Sequence, residues 1–196
     1  MRTIETNLYQ YSELSDKAKA RARDWYREAS HDDTFFAECV IDDAKEIGAL
    51  FGLDIDEVYW SGFYSQGDGA CIVGSYRYKK GALQAVKKYA PLDTELHAIV
   101  AAFTQLQRRH FYSLTASIKH RGHYYHERSM VVDCEDKNGY CEAETDSELR
   151  DCLADFASWI YKQLEKEYEY QNSDEVIDEL LVSNGYTFTE NGERED

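Results

Sequence analysis

Leu149, Leu153, Phe156, Ile160, Leu164 and Tyr168 recur three or four residues apart, with charged residues between them. That spacing lays six apolar side chains along one face of a helix of about five turns, and such a face has to be buried. The chain therefore needs a second layer to cover it. Thr145-Asp146-Ser147-Glu148 has the pattern of a capping box, so the helix is expected to begin there.

The partner layer is legible where the apolar period changes. Between residues 53 and 64, Ile55, Val58, Tyr59, Trp60, Phe63 and Tyr64 are β-branched or aromatic, as strands prefer. Residues 71–79 repeat that composition, and SQGDG between the two stretches is turn chemistry. FYSLTASIK (111–119) and SMVVDC (129–134) predict a second hairpin, and ETNLYQY near the start a short strand. Ser15, as N-cap, opens a helix that runs to about Ala29 and carries Lys17, Lys19, Arg21, Arg23 and Arg27. A helix from Thr34 ends at Gly52, helices over 81–90 and 93–109 are divided by the lone Pro91, and Ser173 starts a short one that stops at Gly185. Runs of strands and helices that do not alternate predict an α+β fold. Its sheet is antiparallel, with four to five strands in two hairpins, helices packed on one face and a long acidic C-terminal helix. One domain is expected over residues 1–190, with residues 191–196 as a frayed acidic tail.

No run approaches the ~18 apolar residues of a membrane span, and MRTIETNLYQ has no secretory apolar core. Cys39, Cys71, Cys134, Cys141 and Cys152 are scattered without a CxxC pair, so five reduced thiols are expected. The net charge of −16 is concentrated: residues 133–196 hold twenty Asp or Glu against five Lys or Arg. A field of that sign repels nucleic acid and anionic lipid and attracts basic surfaces.

Three groups of residues are candidates for chemistry or binding. In SGFYSQGDGA, Ser65, Gln66 and Asp68 sit among glycines and make a possible ligand loop; a tight turn is the simpler expectation, because the loop brings its own carboxylate and leads into a strand. In HRGHYYHE, His120, His123 and His126 are candidate ligands for a divalent metal such as zinc, against a polar hairpin tip. An extended strand would point His123 away from His120 and His126. The acidic third offers Asp151, Asp155, Glu165, Glu169, Asp174, Glu175, Asp178 and Glu179. Carboxylates four apart on a helix lie roughly 6 Å from one another, so such a row resembles the phosphates of a nucleic-acid strand; a solvated polar face is the plainer alternative. No GxSxG or HExxH is present.

LSDKAKARARDWYREA, VYWSGFYSQGDGACIVGSYRYKKG, IKHRGHYYHE and SWIYKQLEKEYEY together resemble a family of small phage- and prophage-encoded proteins, some labelled antitoxins of toxin–antitoxin systems. The tract around WSGFYSQGDGA carries the resemblance most specifically. It implies an accessory protein acting in the cytoplasm of a bacterial host, with no catalytic residues to carry over. Joined to the acidic charge, it leads to the expectation of a non-enzymatic protein that binds and neutralises a bacterial protein with a basic, nucleic-acid-binding surface. A defence nuclease, a CRISPR complex, a restriction system or a toxin would fit, bound by mimicry of nucleic acid. Neither a cofactor nor direct binding to nucleic acid or membrane is expected. The alternative is a metal-dependent enzyme or small-ligand-binding protein built on the GDG and HRGHYYH tips, and a virion structural protein is a third class.

Overall fold

A computed structural model describes residues 7–30 and 34–195. The elements run β1 (Tyr9–Gln10), α1 (Asp16–Ala29), α2 (Phe35–Phe51), β2 (Leu53–Trp60), β3 (Ala70–Arg77), α3 (Ala82–Tyr89), α4 (Thr94–Arg109), β4 (Thr115–His120), β5 (Met130–Glu135), α5 (Ala143–Gln171), α6 (Asp174–Ser183) and β6 (Thr187–Phe188). The fold is α+β, with an antiparallel sheet in the order β2-β3-β4-β5 and a two-stranded sheet of β1 and β6. Of the strand expected over residues 5–11, Tyr9–Gln10 is formed, while residues 5 and 6 lie outside the described part. The described chain divides into two compact units, Glu38–Glu165 and the joined segments Met1–Ala37 and Lys166–Asp196.

In the unit Glu38–Glu165 the sheet buries one face. Ala116 and Ile118 on β4, and Met130, Val132 and Cys134 on β5, point inward, while Thr115, Lys119, Val131, Asp133 and Glu135 are exposed. The core joins three helices to the sheet: Phe51 of α2 meets Phe103 of α4 and Phe156 of α5 at 5.2 and 5.0 Å, and Phe103 meets Tyr76 of β3 at 4.9 Å. Asp56 is an extra residue in β2, since Ile55 faces Gly74 and Glu57 faces Val73. The bulge brings the Asp54 carbonyl so close to Gly74 that a Cβ there would collide with it.

Three local expectations are corrected. Helix α5 starts two residues before Thr145, which is buried; its hydroxyl lies 3.2 Å from His110 Nε2, and Glu148 pairs with Arg109. Tertiary partners have taken both members of the expected capping box. Phe111 and Tyr112 are not strand residues: both have positive φ, 53° and 63°, in the turn that ends α4. Cys134 and Cys141 are disulfide-bonded, because the turn at Asp136–Gly139 brings their Cα atoms within 5.7 Å. Cys39, Cys71 and Cys152 are free.

The other unit is built on α1 and α6. Tyr11, Leu14, Ala18, Ala22, Ile177, Leu181 and Phe188 form its core. Ser15 and Ser173 cap their helices, each accepting from the amide three residues on. Beyond β6, the Thr189 amide donates to the Glu193 carbonyl and the Arg194 guanidinium lies 5.1 Å from the Tyr186 ring centre, while Asp196, the end of the tail read as frayed, lies outside the described residues.

Candidate functional site

The turn between β2 and β3 is held by its own polar groups. The Ser61 amide donates to Gly69 O at 3.1 Å, and the Gly69 amide to Ser61 Oγ at 3.3 Å. Within it, Asp68 Oδ2 accepts from the Ser65 amide at 2.7 Å and the Asp68 amide donates to Ser65 O. Asp68 is thus committed to closing the turn, with Gly67 supplying φ +94°. Tyr64 also takes a positive φ, 79°, and its ring stands 73% exposed.

The β4–β5 connection is held in a similar way. His120 Nε2 donates to Tyr124 O at 3.1 Å, Arg121 N to Ser129 O, and His126 Nδ1 accepts from Arg128 N at 3.0 Å. The ring of His123 packs edge-on against Tyr124. His120 and His126 therefore organise their own loop. Among the described residues no three His, Cys, Asp or Glu side chains gather as a metal-holding group.

The two tips meet, which the sequence left open. A Cβ on Gly69 would come within 2.7 Å of His126 Cβ, a Cβ on Gly67 would stand 3.6 Å from the Tyr124 ring, and Ser61 Oγ reaches Tyr125 O at 3.5 Å. The Tyr59 and Tyr125 rings stack at 5.3 Å, with His120 beside both. On the other side Trp60 stacks on Phe63, Phe63 meets Tyr161 of α5, and the Tyr161 hydroxyl donates to Gly62 O at 3.0 Å. Burial, then the charges of Asp68 and Glu165, raise the Tyr161 phenol's pKa and keep it a donor. The result is a fixed edge of rings from two loops and one helix, from which Tyr64 and Tyr124, 63% exposed, project. Residue reading missed this edge, although sixteen tyrosines in 196 residues hinted at it.

Thiol chemistry is damped nearby. Burial raises the Cys71 thiol, against a hydrogen bond from Ser129. Burial and the charges of Asp155, Glu148 and Asp151 push Cys152 up to about 12.

The acidic residues separate into different roles. Asp151 pairs with Arg128 at 3.1 Å. Asp174 pairs with Arg27 at 2.6 Å and Arg23 at 3.3 Å, and the Arg27 hydrogen bond holds its carboxyl below the usual range. Asp178 pairs with Arg23 and accepts from the Tyr11 hydroxyl. Asp155, Glu169, Glu175 and Glu179 are exposed and Glu165 is half-buried. Asp151, Asp155 and Glu165 belong to one unit and the other five to the second.

A family model described as a domain of unknown function (DUF8835) matches residues 36–174, a span that includes both loop tips. No curated protein and no solved structure matches the chain.

Proposed function

The chain belongs to the DUF8835 family, and from its geometry we propose that it is a non-enzymatic protein-binding module that docks through the joined loop tips. The observation that carries this reading is the interlock of two loops rich in tyrosine, serine and glycine, Gly69 against His126 and Tyr124 over Gly67, at the end of a sheet. Tyrosine supplies a large, stiff, amphipathic contact at low entropic cost, and serine and glycine adapt around it; binding loops on rigid scaffolds use the same composition. Three of the candidate polar side chains, Asp68, His120 and His126, each hold a backbone group of their own loop.

The partner is a bacterial protein with a basic, nucleic-acid-binding surface, neutralised when the module binds. The net charge of −16 supports this choice, as does the resemblance to phage-encoded proteins. Because Asp151, Asp174 and Asp178 already neutralise arginines of this chain, the acidic charge suits steering better than one continuous phosphate-like row. No helix among the described residues is long and apolar enough to cross a membrane.

The test is capture of partners from bacterial lysate by the tagged protein, alongside a Tyr64→Ala, Tyr124→Ala variant. One near-stoichiometric partner, bound at least ten-fold more weakly by the variant, is expected, since central interface tyrosines each contribute about 1–2 kcal/mol or more. Equal capture by both proteins would remove the tips from the interface.

A further inference from the structure

Cys134 lies at the end of β5 and Cys141 just before α5, so their disulfide ties together the two ends of the β5–α5 connection, seven positions apart. The connection keeps its shape by bonds in which sulfur takes no part. Asp136 Oδ1 accepts from the Asn138 amide at 2.6 Å, Asp136 Oδ2 from Asn138 Nδ2 at 2.9 Å and Asp136 O from the Gly139 amide at 3.0 Å, with Gly139 at φ 84°. Both ends are anchored to other parts of the fold. Cys134 is paired with Ala116 in the sheet ladder, the Asp146 amide donates to Glu142 O at 3.0 Å, and the Thr145 hydroxyl meets His110 at 3.2 Å. Hydrogen bonds thus hold the two Cα atoms 5.7 Å apart, a separation suited to a disulfide, with or without the bond itself. Breaking it leaves two thiols within closing distance. A ring this short also removes less chain entropy than the long loops that a structural cross-link closes.

Access to the two sulfurs is unequal. Cys134 is 7% exposed on the inward face of the sheet, whereas Cys141 is half-buried in the connection. Cys71 and Cys152 are buried thiols that burial keeps protonated, so neither competes for the bond.

We propose that Cys134–Cys141 is a site of reversible thiol–disulfide exchange with low-molecular-weight thiols, entered at Cys141, which opens and closes without unfolding of the chain. A thiolate RS⁻ attacks Cys141 Sγ to form a mixed disulfide, and Cys134 leaves as a thiolate that takes up a proton. A second RS⁻ attacks the outer sulfur of the mixed disulfide, giving RSSR and, after protonation, the Cys141 thiol. Two RSH are oxidised to RSSR, and the protein disulfide gains two electrons and two protons. RSSR closes the ring by the same steps in reverse. The β4–β5 tip enters β5 at Met130 and the pair lies at the other end of that strand, so the inference is independent of the loop-tip reading and either can fail alone.

The test is reduction of the full-length protein by glutathione, followed by alkylation and peptide mapping, which separates Cys134 and Cys141 from Cys39. Both thiols are expected to appear together, at a rate proportional to glutathione between about 1 and 10 mM and unchanged by urea below the unfolding transition, and glutathione disulfide should restore the bond. A rate that climbs with urea, or levels off as glutathione rises, means that the bond is reached only by unfolding and overturns the proposal. Two thiols that stay free in excess glutathione disulfide overturn it as well. The point of entry is read from single variants: Cys134→Ser should take up glutathione on Cys141 about ten-fold faster than Cys141→Ser takes it up on Cys134. Equal rates in the two variants overturn entry at Cys141.

Discussion

Gly69 shows how much can rest on the absence of one methyl group. Its Cα faces His126 so closely that a Cβ would sit 2.7 Å from His126 Cβ, 2.9 Å from its Cα and 3.3 Å from Tyr125 O. The obstacle is backbone and a Cβ rather than the end of a flexible chain, so the loops would have to part. Gly69→Ala is therefore expected to cost about 1–3 kcal/mol, as overpacking does, and to weaken capture of the partner together with stability. Gly62 is the matched control: a Cβ there would find only Asp68 Oδ2, at 3.9 Å, so Gly62→Ala should stay within about 0.5 kcal/mol of wild type. Urea melts of the two variants check this. Equal midpoints would mean that the two tips do not bear on one another in solution. The same crowding explains why the site was invisible in sequence. Gly69 and His126 are 57 positions apart, and the turn chemistry of SQGDG is satisfied equally well with or without the second loop.

At the scale of elements, α1 and α6 are matched in charge as well as in shape. The basic helix α1 turns Arg23 and Arg27 onto Asp174 and Asp178 of the acidic one. Tyr11, buried beneath them, donates to Asp178 and accepts from Arg23 Nη1 at 3.1 Å. Burial first, and then Asp178, raise the phenol's pKa from 10.0 to about 12. The folded chain thus holds this proton more tightly than the unfolded one. The stability linked to it is complete below pH 10 and lost as pH climbs through about 12. Tyr11→Phe should cost about 1 kcal/mol at pH 8 and show a smaller fall between pH 9 and 11.5 than wild type, read from urea midpoints. Parallel falls in the two proteins would mean that Tyr11 does not report on this network. Local signals were legible: the Ser15 and Ser173 caps fall where they were read, and strand β5 lies within a residue of the stretch SMVVDC. What failed depended on where the chain turns and on which partners it then meets. Thr145 is drawn to His110, and Cys134 to Cys141 by a turn whose geometry no CxxC spacing announces.

Across the whole molecule, folding redistributes the charge. In sequence nearly all the excess lies beyond residue 132, but α1 and α6 share one unit, so acidic and basic segments are brought together. Met1–Ala37 with Lys166–Asp196 holds seventeen acidic and eight basic residues, and Glu38–Glu165 twenty-one and fourteen. Both units are therefore anionic, at −9 and −7, and neither presents a cationic body to an approaching partner. On the proposed binding reading, long-range attraction would act from both, and the specific contacts would come from the tyrosine edge of one. The two contributions separate kinetically, because diffuse charge governs association and a buried anchor governs dissociation. Replacing Asp155, Glu175 and Glu179 by lysine should slow association several-fold at low salt and flatten its dependence on ionic strength, leaving the dissociation rate nearly unchanged. Tyr64→Ala with Tyr124→Ala should do the reverse, raising dissociation at least ten-fold while the salt slope of association stays as in wild type. Stopped-flow mixing with the captured partner at 20 and 200 mM salt resolves both rates. Association that is indifferent to salt in wild type would mean that the charge serves solubility alone, and a salt-dependent dissociation rate would place the carboxylates inside the interface.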